Sequence, residues 1–88
     1  MPKERSENGM SVKDFIGDAA VYDENGQYIW AKQKDGFQMI CEIRGWGAIQ
    51  NLFKDEEGFI EEDKAEDFQD ELGRWIADAI NKKLKEDA

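Results

Sequence analysis

The sequence predicts an α+β domain in which a three- or four-stranded antiparallel meander packs against one long C-terminal amphipathic helix. Three observations carry that prediction. Residues 37–44 alternate apolar and polar side chains, apolar residues recur at three- and four-residue spacing from about Asp63 onward, and short Asn/Asp/Gly turns separate the strand-forming runs. A period of two lines one face of a strand, and a period near 3.6 lines one face of a helix.

The first ten residues, MPKERSENGM, are polar and offer nothing to bury. They predict a disordered tail ahead of a single small domain over residues 11–88. Ser11 followed by Asp14 resembles a capping box around Val12, Phe15 and Ile16, with Gly17 ending the short helical turn. Ala19 to Tyr22 is β-prone, and Asp23-Glu24-Asn25-Gly26 supplies a turn in which Asn and Gly accept positive φ. Gln27 to Lys32 returns as a strand, although Tyr28, Ile29 and Trp30 in succession leave its inward face open.

After the turn at Lys34-Asp35-Gly36, the alternation sets Phe37, Met39, Cys41 and Ile43 against Gln38, Ile40, Glu42 and Arg44, which predicts the first set inward. Its cover is the C-terminal helix, with Phe68, Leu72, Trp75, Ile76, Ala79, Ile80 and Leu84 as the apolar stripe. Acids crowd the first turns and Lys82, Lys83 and Lys85 the last, in accord with the helix dipole, and Asp70/Arg74 and Asp78/Lys82 are spaced to pair. Gly45 to Phe53 fits either a bulge and a fourth strand or a turn and a short helix. Gly73 inside the helix predicts close approach of another backbone.

Composition excludes several chemistries. Histidine is absent, which removes the side chain best suited to proton transfer near neutral pH. The single cysteine, Cys41, allows neither an intrachain disulfide nor a Cys-based zinc site and favours a reducing cytoplasm. On the inward strand face it would be an inert thiol. Two stretches, Asp23-x-Asn25-Gly26 and Asp55-x-Glu57-Gly58, resemble calcium loops. Aligned on the glycine, their terminal ligand positions fall on Val21 and Lys32 in one and Phe53 and Lys64 in the other. No catalytic residue, metal site or cofactor is predicted. No exported leader or membrane span is expected either, since no stretch approaches the ~20 apolar residues a spanning helix needs.

The net charge of −9 is localised, because Asp55 to Glu71 hold ten acids and one base and account for the whole imbalance. That disfavours direct contact with nucleic acid or an anionic membrane and favours basic partners. Glu62, Glu66, Asp70 and Asp63, Asp67, Glu71 form rows of like charge at i,i+4 spacing, mildly self-destabilising, which read either as a solvated, solubilising face or as an imitation of a phosphate backbone. Trp46 between two glycines, with Arg44 two residues before it, is the other pointed feature, either as an interface anchor, since Trp and Arg are enriched among hot spots, or as a residue that closes the end of the core over the helix while the glycines make a bulge. A chain of this size buries only roughly 60–65% of the surface exposed on unfolding, so a homodimer is a further expectation.

The run Arg44-Gly45-Trp46-Gly47-x-Ile49-Gln50, followed by Phe68-Gln69-Asp70-Glu71-Leu72-Gly73-x-x-Ile76-Ala77-x-Ala79-Ile80-Asn81, resembles a group of small uncharacterised bacteriophage and prophage proteins, with a longer acidic insertion between the two blocks. The resemblance covers about the C-terminal half. It implies a small accessory protein made in the cytoplasm of an infected or lysogenic bacterium, acting on a protein of host or phage. The leading expectation is therefore a non-enzymatic protein that binds a protein partner through Arg44 and Trp46 or through Glu62, Asp63, Glu66, Asp67 and Asp70. The alternatives are an acidic mimic of nucleic acid that inhibits a DNA-binding protein, and a homodimer that sequesters a small molecule.

Overall fold

A computed structural model describes residues 11–86, so the predicted tail over residues 1–10 lies outside the described residues. The elements run α1 (Val12–Ile16), β1 (Ala19–Asp23), β2 (Tyr28–Gln33), β3 (Gly36–Glu42), α2 (Trp46–Leu52) and α3 (Glu62–Glu86). The strands form one antiparallel sheet in the order β1-β2-β3, and α3 lies chiefly over β1, with β2 next. This is the α+β arrangement the sequence predicts, with three strands rather than four.

The local signals act as chemistry requires. The Ser11 hydroxyl accepts from the Asp14 amide while the Asp14 carboxylate accepts from the Ser11 amide, closing a capping box on α1. In the β1–β2 turn the positive φ falls on Gln27, at 55°, and not on Asn25 or Gly26. Gly26 serves a different need, since a Cβ there would collide with the Tyr28 ring. The Gly45–Phe53 stretch resolves as a helix, begun by Gly45 in the left-handed region at φ 96°.

The inward face of the sheet corrects the prediction for β3. Ile29 and Ala31 are fully buried on β2 and face Tyr22 and Ala20 across the β1 pairing. On β3 the pairing passes from Ile29↔Cys41 to Trp30↔Met39, so Ile40 is the extra residue of a bulge and joins the core. Phe37 and Met39 are 55% and 51% exposed, and Cys41 is exposed too. The bulge breaks the phase of the alternation, and α3 does not extend over the β3 edge, so of the predicted inward set only Ile43, just beyond the strand, is buried.

The helix seam is also shifted. The residues of α3 that bury most deeply are Ala65, Gln69, Gly73 and Ala77, one every four positions, with Leu72, Ile76 and Ile80 half-buried beside them. Phe68 and Ala79 lie on the exposed side, and Trp75 is 70% exposed. Small side chains on the seam let the helix backbone sit close to the sheet while the large ones flank it. Gly73 meets the ring of Tyr22 rather than another backbone, and a Cβ there would overlap that ring. Asn81 fastens the lower half of α3 to the outer edge of β1. Its Oδ1 accepts from the Ala20 amide at 2.7 Å and its Nδ2 donates to the Ala20 carbonyl at 2.9 Å, as a neighbouring strand would.

The predicted i,i+4 pairs do not form. Asp70 accepts the Tyr22 hydroxyl at 2.8 Å, Arg74 reaches toward Glu24 at 3.9 Å, and Asp78 and Lys82 make no ion pair among the described residues.

Candidate functional site

Two of the residues singled out in the sequence meet where β3 leaves the sheet. The Ile43 amide donates to the Gln27 carbonyl at 2.7 Å, which carries the chain back past the β1–β2 turn. Gly45 then reverses it, and Trp46 starts α2 half-buried against α3. The result is a cleft of about 530 Å³ lined by Gln27, Glu42, Ile43, Arg44, Gly45, Trp46, Glu66 and Gln69. A second cleft of about 240 Å³, lined by Glu24, Asn25, Gln27, Glu66, Asp67, Gln69 and Asp70, adjoins it. Gln27, Glu66 and Gln69 line both, so the two form one trough between the β1–β2 turn and the first turns of α3.

The trough is polar and acidic. Its walls hold Glu24, Glu42, Glu66, Asp67 and Asp70 against one arginine. The Arg44 Nη2 lies 3.0 Å from the Glu42 Oε1. Asp70 is held by Tyr22, whose phenol is pushed above its ordinary value by burial first and by the bond to Asp70 second. Glu66 has no ion-pair partner among the described residues.

The trough thus unites Arg44, Trp46, Glu66, Asp67 and Asp70. Glu62 and Asp63 stand outside it. Glu62 Oε1 accepts from Gln50 Nε2 at 3.1 Å, tying α2 to α3, and Asp63 faces solvent. Sequence reading missed Gln27 and Gln69. The signal for Gln69 is its place as the one polar member of the buried row Ala65, Gln69, Gly73, Ala77.

The calcium-like turns are occupied by their own backbone. Asp55 Oδ1 accepts from the Glu57 and Phe59 amides at 2.9 Å each, and Asp23 accepts from the Asn25 amide and from the Trp30 indole. Among the described residues no group of three or more acidic or thiol side chains is arranged to hold a metal ion, and no helix is long and apolar enough to cross a membrane. A separate apolar hollow of about 490 Å³ lies on the outer sheet face, against Val21, Tyr22, Asp23, Trp30 and Phe37.

Comparison with protein-family models, with curated proteins and with solved structures found no match.

Proposed function

We propose that the chain is a non-enzymatic accessory protein of bacteriophage or prophage type, made in the bacterial cytoplasm, that binds a protein partner along the Trp46 trough. The observation that supports this reading best is the convergence of Trp46 and Arg44, distant in sequence from α3, with Glu66 on the wall of one cleft. Trp and Arg are the residue types enriched among interface hot spots. The acidic surplus points to a partner with a basic contact surface, drawn in by complementary charge.

The test is capture of bacterial proteins on the immobilised protein, with elution across a salt gradient, using wild type and the Arg44→Ala/Trp46→Ala double variant. The double variant is expected to keep the wild-type circular dichroism spectrum and to lose the partner. A partner held equally well by both proteins contradicts the reading.

A second reading rests on the exposed acids of α3, in which Glu62, Asp63 and Glu71 extend the charge of Glu66 and Asp67 beyond the trough. These suit an imitation of a phosphate backbone. That reading predicts a DNA-binding partner whose affinity collapses with salt.

A further inference from the structure

We infer that the trough is a guanidinium site, built to take an arginine side chain presented by the partner. The inference rests on the partner-binding reading and names the chemistry the site recognises.

Gln69 is the starting point. It is 7% exposed, yet its side-chain amide has no hydrogen-bond partner among the described residues. Among the described residues no fully enclosed side-chain nitrogen or oxygen lacks a partner, so the amide of Gln69 must open onto the space it lines. That space is the trough, because Gln69 lines both of its clefts. Facing the trough without a protein partner, the amide is left to water or to a ligand that displaces it.

Glu66 stands one turn before Gln69 on α3, on the same side of the helix, and lines the same two clefts with no ion pair of its own. A carboxylate and an amide lining one cleft suit a ligand with several N–H donors in one plane and a positive charge. Guanidinium meets that description, with five donors in a fixed fork and a diffuse charge that sheds water more easily than an ammonium. Trp46 lines the larger cleft and supplies the aromatic surface on which guanidinium groups rest. Arg44 pairs with Glu42 at the exposed rim of the same cleft. The surplus of acids leaves Glu66 for an incoming cation.

The experiment is a ¹H–¹⁵N NMR titration of the full chain with acetyl-Gly-Arg-Gly-amide, beside the lysine and citrulline versions of the same peptide. The arginine peptide is expected to shift the Gln69 side-chain NH₂ and the Trp46 indole N–H, and to bind about tenfold more tightly than either control, as loss of a charge-assisted forked contact requires. Glu66→Gln, an exposed position that leaves the fold intact, is expected to weaken it by about tenfold. Equal binding of the three peptides, shifts elsewhere, or an undisturbed Gln69 overturns the inference. If the captured partner still depends on Trp46 while the arginine peptide leaves Gln69 unmoved, the guanidinium site falls and the partner-binding reading stands. If the double variant also retains the partner, both fall.

Discussion

The substitution Gly73→Ala tests how closely α3 approaches the sheet. In an isolated helix it would stabilise by about 1 kcal/mol, since alanine is the better helix former. Here the added Cβ would overlap the ring of Tyr22, whose hydroxyl donates to Asp70 at 2.8 Å. Forcing a methyl group into a filled site costs about 1–3 kcal/mol, and pulling the phenol from a carboxylate costs about 1.5–3 kcal/mol more. Set against the helix gain, the net is a loss of about 3 kcal/mol, a large share of what a small domain possesses. Thermal unfolding should fall by roughly 12–24 °C, and the urea midpoint should fall with it. In a Tyr22→Ala background the obstacle is gone and Gly73→Ala should stabilise by about 1 kcal/mol, so the sign of the effect reverses. A stabilising Gly73→Ala in both backgrounds would refute the packing described for the α3 seam.

Other perturbations separate the remaining contacts. Asn81→Leu removes both bonds to Ala20 and should lower stability by about 1–3 kcal/mol in urea unfolding, with light scattering rising as the β1 edge opens; an unchanged midpoint would contradict the edge-fastening role. Tyr22 holds its proton in the folded chain above the ordinary phenol value of 10.0, so its contribution is complete below about pH 10 and is lost as the pH climbs through the raised folded value. Tyr22→Phe should therefore flatten the alkaline fall in unfolding midpoint, and an unaltered slope would argue that the phenol does not couple to folding. Cys41 is exposed and should react with one equivalent of a thiol reagent in native buffer, whereas labelling that waits for denaturant would restore the inward placement predicted from the alternation.

The elements were more legible than the surfaces they present. The capping box at Ser11, the strand at Phe37 and the long α3 all follow from local pattern, because capping, period-two alternation and helical spacing are local chemistry. Which side faces the core depends on non-local geometry. One extra residue at Ile40 reset the face of β3, and the seam of α3 runs through Ala65, Gly73 and Ala77 because close approach to the sheet selects small residues over the large stripe beside them. The site was legible in part for the same reason. Trp46 flanked by glycines was visible in sequence, but Gln69 gained its meaning only once burial left its amide facing the trough.

Hydrogen–deuterium exchange of the protein with and without its captured partner tests the central claim most directly. Binding along the trough predicts added protection in the Glu24–Gln27 turn, from Glu42 to Ile49 and in the N-terminal half of α3, with the β2 amides and those of β3 before Glu42 unchanged. Protection centred on Val21, Trp30 and Phe37 would place the partner on the outer sheet face and contradict the account.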